Sequence, residues 1–133
     1  MSDGIVYLDS SALMKLVFEE RETSALADFL DDWPTRASSS VASVEVLRTA
    51  QLVDDTIVTR EAHDILAGVH LILPDGVLLA AAARLGPAPL RALDSIHLAT
   101  ALSLGHDLAG MVVYDRRLAE AARHAGITVW APS

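Results

Sequence analysis

Ile5-Val6-Tyr7-Leu8-Asp9-Ser10-Ser11-Ala12-Leu13-Met14-Lys15-Leu16-Val17-Phe18 is the stretch that decides the fold. Ile5–Leu8 is a short apolar, β-rich run and predicts a buried strand. Asp9, Ser10 and Ser11 are all residues that cap helix N-termini, and apolar residues then return at helical spacing over Ala12–Phe18. A buried strand running straight into a capped helix opens an alternating unit.

Outward from there the alternation continues. Glu22–Trp33 predicts a second helix stopped by Pro34, and Arg36–Ser40 a second strand. Helices follow over Val41–Val53 and Thr59–Val69. Leu71–Leu73 predicts a strand ended by Pro74, and Gly76–Leu85 an Ala-rich helix. Gly86-Pro87-Ala88-Pro89 reads as one loop. Leu93–Leu104 is apolar nearly all round, the mark of a buried helix whose small residues permit close packing. Gly110–Tyr114 is the clearest strand, Asp115–Ala125 a helix closed by Gly126, and Thr128–Trp130 the last strand. The order β-α-α-β-α-α-β-α-α-β-α-β implies an α/β fold with a parallel sheet and helices on both faces.

Composition narrows the chemistry. At 133 residues the expectation is one domain. A hydrophobic content of 52% rules out disorder as the default, and the absence of Cys rules out disulfides, a thiolate nucleophile and thiolate-bound zinc. No apolar run approaches the ~18 residues of a membrane span, and Met1–Tyr7 has no basic start or signal-type core. A cytoplasmic protein is expected. The net charge of −8 excludes nucleic-acid binding through bulk charge, because phosphate backbones attract Lys and Arg. Any such activity must be local, through an Arg patch or a bound cation. Nine of the ten basic residues are Arg, which suits bidentate contact with phosphate or carboxylate.

Four carboxylates stand out. Asp9 and Asp115 each end a strand and begin a helix, and Asp94 begins the buried helix. Each could be an N-cap worth about 1 kcal/mol. Glu45 has no capping role. It sits among Val41, Val44 and Val46, where its ordinary explanation is an ion pair with Arg48 one turn on. Ligands of doubly wound sheets bind beyond the C-terminal strand ends, where strand order reverses. If the strands before Asp9 and Asp115 are neighbours there, the four acids form one pocket. Two like charges about 4 Å apart cost ~4 kcal/mol at an effective dielectric near 20, so a cation or a proton must relieve them. Oxygen-only ligands select hard ions such as Mg²⁺ or Mn²⁺, the apparatus of metal-assisted phosphodiester hydrolysis.

These residues resemble a known family. Tyr7–Leu16 resembles the opening motif of PIN-domain ribonucleases, Ser43–Arg48 their second, and Leu93–Ala101 their third. Val112–Leu118, followed by Ala121, Ala122 and Gly126, resembles the fourth. The short length is similar to the VapC-type toxins of bacterial toxin–antitoxin pairs. The resemblance implies a three-layer α/β/α PIN-like fold over residues 1–133, with a five-stranded parallel sheet. It implies an endoribonuclease that hydrolyses RNA with water activated by Mg²⁺ or Mn²⁺. It also implies a homodimer and a VapB-type antitoxin that covers the acidic pocket. By position it assigns Asp9 and Asp94 as metal ligands, Asp115 as a ligand directly or through water, and Glu45 as the residue that orients the metal or its water. Two departures stand in the fourth motif. Val113 occupies a place where members often carry Thr or Ser, and Arg116 and Arg117 stand where some carry a further acid.

Other residues have plainer expectations. His97, one turn after Asp94, could share a metal, but the family does not use this position as a ligand. A packed histidine at the pocket rim is expected. Arg116 and Arg117 are balanced between RNA backbone contact and solvated helix charge. The acids Glu19, Glu20, Glu22, Asp28, Asp31 and Asp32 read as a solvated face. Rival readings are a PIN fold that binds RNA or protein without cutting, and a receiver-type signalling domain built on Asp75. The second lacks the late-strand Lys that class needs, since the one Lys is Lys15. A haloacid-dehalogenase-like phosphatase needs an Asp where Ser11 stands.

Overall fold

The strand that opens the sequence becomes the centre of the sheet. In the structure, a computed structural model that describes residues 2–86 and 89–133, β1 (Ile5–Leu8) is followed by α1 (Ser10–Val17), α2 (Thr23–Leu30) and β2 (Arg36–Ser39). Then come α3 (Ser40–Val53), α4 (Thr56–Ala67), β3 (His70–Ile72), α5 (Gly76–Ala83) and α6 (Ala92–Ser103). A 3-10 turn over Gly105–Asp107, β4 (Leu108–Val112), α7 (Arg116–His124) and β5 (Val129–Trp130) complete the chain. The sheet order is β3-β2-β1-β4-β5, with every pairing parallel.

Val6, Tyr7 and Leu8 are wholly buried because helices cover both faces of β1. The strand pleat divides them. Val6, Leu8 and Val112 pack with Leu13, Leu26, Leu30 and Val46 from α1, α2 and α3. Tyr7, Met111 and Val113 face the other way, against Leu98 of α6 and Leu118 and Ala122 of α7. α5 joins that layer by packing Leu78 and Ala82 on Ala99. Full burial of one Leu or Val stabilises by about 1.5–3 kcal/mol, so two such clusters fix the three layers.

Some boundaries differ from the sequence reading, each for a local reason. α2 ends at Leu30 rather than Trp33, because the Arg36 guanidinium donates to the carbonyls of Leu30 (2.7 Å) and Trp33 (3.0 Å) and finishes the helix end. α4 begins at Thr56, not Thr59, because the Asp55 carboxylate accepts from the Ile57 N–H at 2.8 Å. β3 and β4 lie one and two residues earlier than read, so Val113 and Tyr114 carry the chain from the strand to Asp115. Pro87 and Ala88 of the expected loop lie outside the described residues. Gly126 closes α7 with φ +87°, as expected. Gly110 is required by contact: a Cβ there would stand 2.6 Å from the Trp130 ring and 2.7 Å from the Thr128 carbonyl oxygen.

Candidate active site

Strand order reverses between β1 and β4, which opens a crevice at their C-terminal ends. Asp9 follows β1 directly and is 3% exposed. Its Oδ1 accepts from the Ala12 N–H (2.9 Å) and the Ser11 hydroxyl (2.6 Å), which caps α1. The Ser11 hydroxyl also accepts the Tyr114 N–H at 3.3 Å, so it ties the chain leaving β4 to Asp9. Asp115 caps α7 in the same manner, accepting the Leu118 N–H on Oδ1 at 3.0 Å. Capping and pocket are therefore not alternatives. Each Asp gives one oxygen to its helix, and among the described residues no hydrogen-bond donor reaches the other.

Asp94 does not cap. The N-cap position of α6 is Arg91, and Asp94 sits in the first turn with its carboxylate on the crevice. Glu45 reaches the same crevice from α3 and accepts from the Ser10 hydroxyl at 3.0 Å. Among the described residues it forms no ion pair with Arg48. A pocket of about 450 Å³ is lined by Asp9, Glu45, Asp94 and Asp115 together with Ser10, Ser11, Met14 and Arg91. All four acids singled out from the sequence thus line one pocket. Asp75 caps α5 and lines a different hollow, beside Leu73 and Val77.

The charges feel one another. Burial, then the charges of Asp94 and Asp115, push the Asp9 carboxyl up to about 6, against the opposing hydrogen bonds from Ser11 and Ala12. Asp94 is raised by burial, then by Asp115 and Glu45, with Arg91 opposing. An oxygen-only, mutually repelling donor set fits a hard divalent cation, which would remove that penalty. Among the described residues no three such side chains are drawn together into a finished metal cage.

His97 is not at the rim. It is 1% exposed, and both ring nitrogens are engaged, Nδ1 with the Tyr7 hydroxyl (2.7 Å) and Nε2 with the Ser10 hydroxyl (2.9 Å). Burial holds it down to about 4. Ser10, Tyr7 and Arg91 were not legible as site residues. Ser10 is indistinguishable by sequence from its capping neighbours, and Tyr7 reads as strand. Arg91, at the mouth, also borders a hollow of about 280 Å³ lined by Asp94, Asp115, Arg116 and Arg117. The acids of the expected solvated face include two with a partner: Glu20 and Glu22 clasp Lys15 at 3.4 and 3.0 Å.

Fold and pocket define a parallel α/β/α protein with a carboxylate cluster at the switch point of its sheet. The PIN domain profile matches residues 6–124. Ribonuclease VapC46 of Mycobacterium tuberculosis (strain ATCC 25618 / H37Rv) is 43% identical over 129 residues, covering 96% of this chain and 98% of its own. Ribonuclease VapC47 of the same species (strain CDC 1551 / Oshkosh) is 33% identical over 132 residues, covering 96% and 97%. In fold, the chain superposes on a toxin–antitoxin complex from Klebsiella pneumoniae with a TM-score of 0.73 at 23% identity, covering 96% of this chain and 98% of that one. It superposes on Mycobacterium tuberculosis VapC20, described as a sarcin-ricin loop cleaving toxin, with a TM-score of 0.67 at 16% identity, covering 92% and 96%. The chain belongs to the PIN-domain family, and within it to the VapC ribonucleases.

Proposed function

We propose that this chain is an endoribonuclease that hydrolyses RNA phosphodiester bonds with Mg²⁺ or Mn²⁺, and that it is the toxin of a toxin–antitoxin pair. The observation that carries the reading is the meeting of Asp9, Glu45, Asp94 and Asp115 in one pocket at the β1/β4 switch point. Membership of the VapC ribonucleases supports the same activity. Asp9, Asp94 and Asp115 would hold the cation, and Glu45 would orient it or its water. When bound, such an ion supplies a nucleophile at neutral pH and steadies charge on the phosphate oxygens. The chain's own part is to fix the carboxylates. The α1 and α7 caps lock Asp9 and Asp115, Ser11 couples the two strand ends, and Arg91 tempers the negative field at the mouth.

Under this reading residues 1–133 act as one domain in the cytoplasm and pair with a second copy. An antitoxin of the VapB type silences the enzyme by covering the acidic pocket; the toxin–antitoxin fold match from Klebsiella pneumoniae supports that partner. Among the described residues no helix is long and apolar enough to cross a membrane. One rival is a PIN module that binds RNA without cutting. Mapping RNA ends after induced expression separates the two. New 5′ ends are expected with the parent chain and none with Asp94→Ala. Identical end profiles from both would refute nuclease activity at this site.

A further inference from the structure

Beneath the acidic pocket lies a line of buried polar side chains that helix capping does not require. Tyr7 faces the α6 side of β1, and its hydroxyl stands 2.7 Å from His97 Nδ1. His97 Nε2 is 2.9 Å from Ser10 Oγ, and Ser10 Oγ donates to Glu45 Oε1 at 3.0 Å. Tyr7 is 0%, His97 1% and Ser10 9% exposed.

Counting protons fixes the direction. Ser10 has one hydroxyl hydrogen, and it goes to the Glu45 carboxylate. Toward His97 the Ser10 oxygen therefore accepts, so Nε2 carries the ring proton. A neutral imidazole protonated there has a bare Nδ1, and the Tyr7 hydroxyl donates to it. Every donor points the same way, from Tyr7 through His97 and Ser10 to Glu45. Neither ring nitrogen is left for a cation.

Packing alone does not explain the line. An apolar ring at position 97 would fill the space without the cost of desolvating a polar group. Ser10 and Glu45 line the pocket, while Tyr7 and His97 do not. There a long side chain with free rotors faces the repelling charge of Asp94. One fixed donor at Oε1 is what such a carboxylate needs to hold its place.

We propose that Tyr7, His97 and Ser10 form a one-way hydrogen-bond relay that orients the Glu45 carboxylate, with His97 and Ser10 as positioning residues for the nuclease site. The task given to Glu45 rests on the nuclease reading above; the direction of the relay does not. Loss of the Tyr7 hydroxyl frees the ring to move its proton to Nδ1. Ser10 can then turn its hydrogen from Glu45 to Nε2.

Two measurements test this on the full chain. Nitrogen-15 NMR of the metal-free protein near neutral pH should show His97 neutral, protonated on Nε2 and bare on Nδ1. Tyr7→Phe, which keeps the ring and its packing, should give a mixture of tautomers. Single-turnover cleavage of host total RNA in Mn²⁺, followed at a mapped cut, should lose ~10-fold in maximal rate with Ser10→Ala and several-fold with Tyr7→Phe. The RNA concentration giving half the maximal rate should stay unchanged for both. A charged His97, or a proton on Nδ1 in the parent chain, overturns the relay. Parental rates in both variants overturn its role. If parent and Glu45→Gln both lack metal-dependent cleavage, the nuclease reading falls, and the tautomer alone then upholds or overturns the relay.

Discussion

Asp9→Asn separates the structural work of this side chain from its charge. Burial first, then Asp94 and Asp115, push the carboxyl up to about 6 from its ordinary 3.8. That rise of roughly two units corresponds to about 3 kcal/mol, at 1.36 kcal/mol per unit. Because the folded value lies above the unfolded one, the contribution to stability is full below pH ~4 and is lost as pH rises through about 6. At neutral pH the ionised carboxylate therefore weighs against the metal-free fold. Asn removes the charge and keeps an oxygen for the Ala12 N–H and the Ser11 hydroxyl, and it caps helices as well as Asp. Metal-free Asp9→Asn is expected to be more stable than its parent by about 3 kcal/mol near neutral pH, a rise of roughly 10 °C in Tm. The gain should vanish near pH 4. Added Mn²⁺ should raise the Tm of the parent and barely move that of the variant, because only the parent offers the full carboxylate set. Thermal melts in EDTA and in Mn²⁺, at both pH values, make the comparison. A lower Tm for the variant in EDTA at neutral pH would refute the claim that neighbouring acids and burial strain this carboxylate.

Three further outcomes are expected. Mn²⁺ affinity measured by calorimetry should fall by up to ~10-fold per pH unit below about 6, as protons compete for Asp9; a flat profile there would remove Asp9 from the ligand set. Arg91, Arg116 and Arg117 are exposed, border one hollow beside the acids, and form no ion pair among the described residues. Replacing Arg116 and Arg117 with Ala should raise KM for RNA, leave kcat nearly unchanged and flatten the salt dependence of binding, whereas an unaltered salt slope would assign them to solvated helix charge. Gly110→Ala should cost about 1–3 kcal/mol in a denaturant titration, because the added methyl meets the Trp130 ring and a backbone oxygen; tryptophan fluorescence at the midpoint reads the loss, and a parental midpoint would contradict the contact.

Particular residues show where sequence reading succeeds and where it stops. Ile5–Leu8 announced a buried strand, and the polar triplet after it announced a helix start; both are there. Glu45 betrayed itself as a charge among valines, although its partner is Ser10 and not Arg48. The spacing of Asp94 and His97 placed them on one face of α6. It did not tell that His97 lies under the pocket, held at both nitrogens. Nor did it tell that Arg91, not Asp94, holds the cap position.

The sequence by itself determined element types, helix starts to within a residue except at α4, and the set of candidate acids. These depend on interactions a few residues apart: apolar periodicity, and side chains that reach the N–H groups of the next turn. Only the tertiary structure decided that β1 lies between β2 and β4, that Asp9 and Asp115 flank the reversal, and that Tyr7 is turned toward α6. Those facts come from strand order and pleat register, which are set when residues a hundred positions apart compete to bury the same apolar faces.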